Sequence, residues 1–387
     1  MVWGLVAVGM LDLLGGCTTT QPEVTSPAAL APVNARVFDP LAYVASELRP
    51  AADALLLERT DDQVLNDSSL VQLRAGVAAF AAEPLAFPEV REATVPGEGG
   101  APDVRVYMIG TRPGASKPAI LHFHGGGYVA GSALAGMRSL QELALRHDCV
   151  VVSVDYRLAP ETPFPGALED NYSALRWLHR NAAELGVNPD LIMLMGESSG
   201  GGHAAMLAIA ARDRGELPVH KQILVYPMLD DRTGSAVPVP PWVGRYLWNA
   251  ESNRFAWSAL LGVPAGSEVV PAGAVPARVS DLRELPPTFI AVGSVDLFAD
   301  ENIAFARRLV AAGIPTELLV VPGAFHGFDV VAPETALAAQ FRQAIDRAIS
   351  SALPARSAPG ASRPLEPAGE VVEDVDLIPS DEGVISF

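Results

Sequence analysis

Leu191-Ile192-Met193-Leu194-Met195-Gly196-Glu197-Ser198-Ser199-Gly200 decides how this chain folds, together with the Ala-rich run His203 to Arg212 that follows it. Five apolar residues predict a buried strand, the small residues a tight turn, and the Ala-rich run a helix. A serine between strand and helix at such a turn has its hydroxyl lifted above the sheet. Only small neighbours let the two elements approach that closely, and Gly196 and Gly200 supply the room. Gly-x-Ser-x-Gly alone is a weak pattern in a chain with 34 glycines, and most often marks a plain turn; the strand-to-helix setting makes Ser198 a candidate nucleophile.

Working upstream, the strand-like Ala119-Ile120-Leu121-His122-Phe123 runs into His124-Gly125-Gly126-Gly127-Tyr128. Consecutive glycines cost backbone entropy, so a fold keeps them where N–H groups must converge at close range. The oxygen of a carbonyl attacked by a serine is the natural target, since preorganised donors there are worth about 3–4 kcal/mol each. Gly125, Gly126, Gly127 and the backbone of Ser199 are therefore the candidate oxyanion hole.

A serine hydroxyl needs a base, and the base an orienting acid. His326 follows the apolar stretch Leu318–Val321 between small and aromatic residues, and Asp296 follows Phe289-Ile290-Ala291-Val292. Both stand where sheets of this kind place chemistry, just past a strand's carboxyl end. The order Ser198, Asp296, His326 is the Ser–acid–His order of α/β-hydrolases. Asp296 could instead cap a helix, a role equally open to Asp300. His122 and His124, two apart, could suggest a metal pair, but no further Cys, His or carboxylate cluster joins them. Gly200-Gly201-Gly202 lacks the Lys and Ser/Thr of a phosphate-binding loop. His203 reads as packed or surface, Trp257 as core, and Glu197 as a residue that orients the elbow or the His124 loop.

With these residues in place, the chain resembles the bacterial hormone-sensitive-lipase-like esterases of the α/β-hydrolase superfamily, from about Asp103 to Leu353. The resemblance is carried by His124-Gly125-Gly126-Gly127, by Asp155-Tyr156-Arg157-Leu158-Ala159-Pro160-Glu161 with Phe164-Pro165, by Asn188-Pro189-Asp190, by Asp296 with Asp300-Glu301, and by Gly323-Ala324-Phe325-His326-Gly327-Phe328. Glu197 and Ser199 depart from the Asp and Ala more usual in that family. The resemblance implies an α/β-hydrolase fold: a mostly parallel sheet with helices on both faces and a helical cap. It implies a serine carboxylesterase acting on short- to medium-chain acyl esters, with Ser198 as nucleophile, His326 as base, Asp296 as orienting acid and no cofactor. It also implies that Asp155, Arg157 and Glu161 form an ion network bracing their loop. The same machinery could cleave an amide, lactone, carbamate or acetylated sugar. A non-catalytic small-molecule-binding module on this scaffold is the other class, and the presence of His326 argues against it.

The bulk numbers set bounds. A chain of 387 residues, 49% apolar, can bury one large core. A formal net charge of −18 argues against nucleic-acid or anionic-membrane partners, and the expected partner is a small ester, with no metal; a homodimer stays open. Of two cysteines, Cys149 sits in an apolar run and reads as buried structure. Cys17 follows Leu14-Gly15-Gly16 in an apolar leader that resembles a lipoprotein cleavage box, yet no Lys or Arg precedes it. The expectation is a cytoplasmic protein, with an exported lipoprotein anchored at Cys17 as the alternative.

Along the chain, residues 1–35 read as leader and linker, 36–95 as cap helices (Leu41, Val44, Leu48 and Leu55, then Val71, Leu73, Val77 and Phe80), and 96–353 as the catalytic domain. A strand-poor insert near 229–285, with Trp242, Tyr246 and Trp248, is expected to complete the cap. Residues 354–387, where seven carboxylates and no Lys or Arg follow Arg363, read as a disordered acidic tail. Strands are expected at Val104–Ile109, Ala119–Phe123, Cys149–Val154, Leu191–Met195, Gln222–Tyr226, Thr288–Val292 and Thr316–Val321.

Overall fold

The computed structural model describes residues 38–58, 65–79 and 82–353. The leader with Cys17, the linker, Phe80 and the acidic tail lie outside the described residues. In chain order the elements are α1 (Arg49–Glu58), α2 (Asp67–Ala79), β1 (Val90–Val95), β2 (Val104–Ile109), β3 (Lys117–Phe123), α3 (Met137–His147), β4 (Val150–Asp155), α4 (Gly166–Arg180), α5 (Ala182–Leu185), β5 (Val187–Glu197), α6 (Ser199–Arg214), β6 (Lys221–Val225), α7 (Ala250–Leu261), β7 (Thr288–Gly293), α8 (Ala299–Ala311), β8 (Thr316–Val321), α9 (Phe328–Val331) and α10 (Ala336–Ser350). Short 3₁₀ turns, Pro40–Tyr43 and Ser46–Leu48, precede α1.

The strands form one eight-stranded sheet among the described residues, in the order β1-β2-β4-β3-β5-β6-β7-β8. β1–β2 and β2–β4 pair antiparallel, and every later pair is parallel. Parallel strands buried on both faces read as continuous apolar runs, which is why β3 to β7 were legible as strands. β1 is a correction: it falls inside the 36–95 stretch expected to be cap helices. As an edge strand with Arg91, Glu92 and Thr94, it carries no continuous apolar run and no buried face on most of its residues.

Because side chains alternate across a strand, the sheet divides the core into two layers. Leu121, Val152, Leu194, Leu224 and Ile290 point towards α4, α6 and α8. Ile120, Val151, Met193, Ile223 and Phe289 point towards α3 and α10. α6 is buried nearly all round, as an element covered by sheet on one side and by the 229–285 insert on the other must be. Trp257, on α7 in that insert, is fully buried in the same layer, as expected for core. Cys149 is buried too, and burial pushes its thiol up to about 12, which leaves it inert.

Candidate active site

Ser198 follows β5 and is the N-cap residue of α6, with φ 56° and ψ −121°. A non-glycine residue in this region is strained by about 1–3 kcal/mol and persists only where its surroundings hold it. Here its N–H donates to the Val225 carbonyl at 2.9 Å, and its own carbonyl accepts from the N–H groups of Gly202 and Met228 at 3.1 and 3.0 Å. A β-carbon at Gly196 would run into the backbone of Gly200, so the elbow closes only with glycine at those positions.

Asp296 and His326 come to Ser198 from the ends of β7 and β8, which lie beyond β6 in the sheet. Asp296 follows β7 through Gly293-Ser294-Val295, and His326 follows β8 through the turn at Pro322-Gly323. His326 Nδ1 lies 2.8 Å from Asp296 Oδ2, and Nε2 lies 3.0 Å from Ser198 Oγ. A carboxylate can only accept, so Nδ1–H donates to Asp296 and Nε2 is left to accept from the serine hydroxyl. The Asp296 side chain is fully buried, and its second oxygen accepts from the Phe298 N–H at 2.9 Å. Asp296 thus makes a local turn before α8 without capping the helix. The residue at the N-cap of α8 itself is Phe298, and Asp300 lies in the first turn.

Two rings hold the imidazole edge-on: Phe298 at 5.1 Å and Tyr226 at 4.8 Å between ring centroids. The Tyr226 hydroxyl donates to Asp329 Oδ1 at 3.1 Å, and burial pushes the Asp329 carboxyl up to about 6. Neither Tyr226 nor Asp329 was singled out in the sequence. Tyr226 closes the expected strand of β6, and nothing local distinguishes it from an ordinary buried aromatic.

The glycine loop passes directly over the elbow. A β-carbon on Gly125 would stand 3.5 Å from Ser198 Cβ, and Gly126 and Gly127 take φ of 130° and 62°, which turn the loop back on itself. Ser199 is the first residue of α6, and a first-turn N–H has no partner within its own helix. Of the four candidate donors, Gly125 is thus set against Ser198 and Ser199 adjoins it in the chain, while Gly126 and Gly127 continue the loop. His124 steadies the loop by donating Nδ1–H to the Gly125 carbonyl at 2.9 Å, while the Tyr156 hydroxyl donates to the His124 carbonyl at 2.5 Å. The His124 and Tyr156 rings stack at 4.2 Å, and His203 packs on Tyr156 and Tyr128 at 4.4 and 4.9 Å. Burial pushes His124 down to about 4 and His203 to about 3, so both stay neutral behind the loop.

Glu197 is tied to His122, whose Nε2 lies 2.9 Å from Glu197 Oε2 and whose Nδ1 faces Ser153 Oγ at 3.2 Å. Residues adjoining the serine and preceding the glycine loop are thus joined across β5, β3 and β4. His122 and His124 do not face one another as a metal pair: the first binds Glu197, the second the loop carbonyl. No group of three or more His, Cys, Asp or Glu that could hold a metal ion occurs among the described residues. The expected brace of Asp155, Arg157 and Glu161 is corrected. Arg157 pairs with buried Asp170 at 2.7 Å, Glu161 with Arg74 of α2 at 2.7 Å, and Asp155 accepts from the Ala133 N–H. The three bind separate neighbours because elements packed on either side, α2 with Arg74 and α4 with Asp170, present partners to Glu161 and Arg157.

The family described as the alpha/beta hydrolase fold matches residues 120–330, which span β3 to α9 and hold every residue of this constellation. The chain belongs to this family. Within it the hormone-sensitive-lipase-like esterases are its kin, and it is a carboxylesterase. It is similar to esterase LipI of Mycobacterium tuberculosis, with 33% identity over 290 residues, 72% of this chain and 88% of that one. It is similar to carboxylesterase NlhH of the same organism, 35% identical over 275 residues, 66% and 81% of the two chains. Among solved structures, a bacterial heroin esterase superposes with a TM-score of 0.73 at 33% identity, covering 82% of this chain and all of that one.

Proposed function

We propose that this carboxylesterase works through an acyl-enzyme on Ser198 and prefers short- to medium-chain acyl esters. The observation that carries the reading is the unbroken relay Ser198 Oγ, His326 Nε2, His326 Nδ1, Asp296 Oδ2, with contacts of 3.0 and 2.8 Å. Oγ attacks the ester carbonyl as its proton passes to Nε2. Asp296 holds the tautomer and stabilises the imidazolium. The N–H groups of Gly126, Gly127 and Ser199 receive the oxyanion, and Gly125 shapes the loop. The imidazolium gives its proton to the departing alcohol, and water, activated by the same nitrogen, frees the acid and restores the serine. The preference for shorter acyl chains is supported by the 229–285 insert, whose Trp248 stands against Gly127 of the glycine loop.

Initial rates on p-nitrophenyl esters from acetate to palmitate test both parts. Ser198→Ala, confirmed folded, is expected to lose about 10⁶-fold in kcat. A variant keeping a tenth of wild-type activity would remove Ser198 from its role, and a maximum on palmitate would remove the chain-length preference.

A further inference from the structure

Residues 244–248 touch in turn the loop that carries Asp296, the loop that carries His326 and the glycine loop. The Gly244 N–H donates to the Val295 carbonyl at 3.3 Å, just ahead of Asp296. The Tyr246 ring packs on Phe325 at 5.2 Å, next to His326. Leu247 reaches Gly327, on the other side of His326, where a β-carbon would stand 2.7 Å from Leu247 Cδ2. Trp248 lies on the glycine loop, so that any β-carbon on Gly127 would collide with its indole.

Two features mark this segment as more than filler. Leu247 takes φ 57°, a conformation costly for a branched apolar side chain, and it is 56% exposed although apolar. Trp248 is fixed: its indole N–H donates to Asn253 Oδ1 at 3.3 Å, and fully buried Asn253 donates in turn to the Thr233 carbonyl at 2.9 Å. A strained, exposed leucine on the histidine loop beside a locked tryptophan on the glycine loop presents two apolar walls next to the site.

We infer that Trp248 and Leu247 are the specificity-determining residues of the esterase, Trp248 limiting the acyl group and Leu247 contacting the alcohol group. The division follows from the chemistry proposed above, on which this inference rests. The alkoxy oxygen must face His326 Nε2 to take its proton, so the alcohol part of the ester extends along the histidine loop, where Leu247 sits on Gly327. The acyl part then extends along the glycine loop, where Trp248 sits on Gly127. A rigid indole there admits a short acyl chain and stops a long one.

Two substrate series separate the roles: p-nitrophenyl esters with acyl chains from C2 to C12, and acetate esters of alcohols of increasing size. Trp248→Ala is expected to raise kcat/KM for C10 relative to C2 by about tenfold or more, with the alcohol series keeping its order. Trp248→Phe, which keeps a ring on the loop, should give an intermediate shift in the same direction. Leu247→Gly removes the side chain at a φ that glycine adopts freely, and should change the alcohol series while leaving the acyl ratios in place. A parallel fall across both series in Trp248→Ala, or unaltered acyl ratios in both tryptophan variants, overturns the inference while leaving the esterase reading intact. Acyl ratios that move as far in Leu247→Gly as in Trp248→Ala overturn the division between the two walls. Loss of the reading itself is seen separately, in a wild-type protein whose hydrolysis survives Ser198→Ala.

Discussion

Asp296 has two oxygens and both are spoken for, one by His326 Nδ1 and one by the Phe298 N–H. In the proposed mechanism that arrangement suits it to orient His326 by accepting, not to carry a proton. Asp296→Asn is isosteric, yet its amide can present a donor to Nδ1 and so favour the wrong imidazole tautomer. The expected result is a fall in kcat of about 10⁴-fold with little change in melting temperature. Steady-state rates beside a thermal melt check it, and a loss of activity matched by unfolding would assign Asp296 to structure instead. At this scale the meeting of Ser198, His326 and Asp296 was legible because their chemistry forces residue type and local sequence together. The partners that hold them were not: Tyr226 beside His326, Asp329 on Tyr226, and His122 on Glu197 are contacts between strands or loops far apart in the chain.

Among elements, the loop after β4 shows how remote pairing replaces the local brace that the run Asp155 to Glu161 suggested. Asp170, 2% exposed on α4, accepts from the Arg157 backbone N–H and from its guanidinium. Removing the carboxylate strands the guanidinium on a half-buried surface and frees the loop that carries Tyr156 under His124. Asp170→Ala should therefore lower stability by about 3 kcal/mol, seen as a reduced urea midpoint with an unchanged slope. A midpoint within experimental scatter of wild type would make the pair a surface ornament. The strands were legible at their centres and less so at their ends: β5 begins at Val187 rather than Leu191, and β6 ends at Val225 rather than Tyr226. Ends are set by pairing partners, such as the link of Lys117 to Val187, which no local apolar run reports. β1 escaped for the same reason, its place being fixed by its antiparallel neighbour β2.

For the whole molecule, the buried histidines couple stability to acid. His124 and His203 are held well below the ordinary imidazole value of about 6.5, to about 4 and about 3, by burial. The unfolded chain binds their protons first, so the stability they confer is complete above pH 6.5 and is lost as pH falls towards the folded values. Asp329, raised to about 6, and buried Glu301, raised as well, act with the opposite sign: their contribution is present below about pH 4 and is lost as pH rises. The clean readout is therefore a difference. His203→Leu fills the same site between Tyr128 and Tyr156 with no titrating group. Between pH 6.5 and 5, wild type should lose about 1.5 kcal/mol relative to this variant in urea unfolding. Parallel pH curves for the two proteins would mean that His203 takes up its proton as readily in the folded protein as in the unfolded chain.

Every step rests on one atom, Ser198 Oγ, being the nucleophile that His326 and Asp296 activate. Labelling of the full chain with a fluorophosphonate, followed by digestion and mass spectrometry, reads that atom directly. The expected result is one adduct per chain, on the peptide holding Ser198, with esterase activity falling in proportion to labelling and no adduct in His326→Gln. An adduct on a different residue, or full hydrolysis by a protein completely labelled at Ser198, would contradict the mechanism.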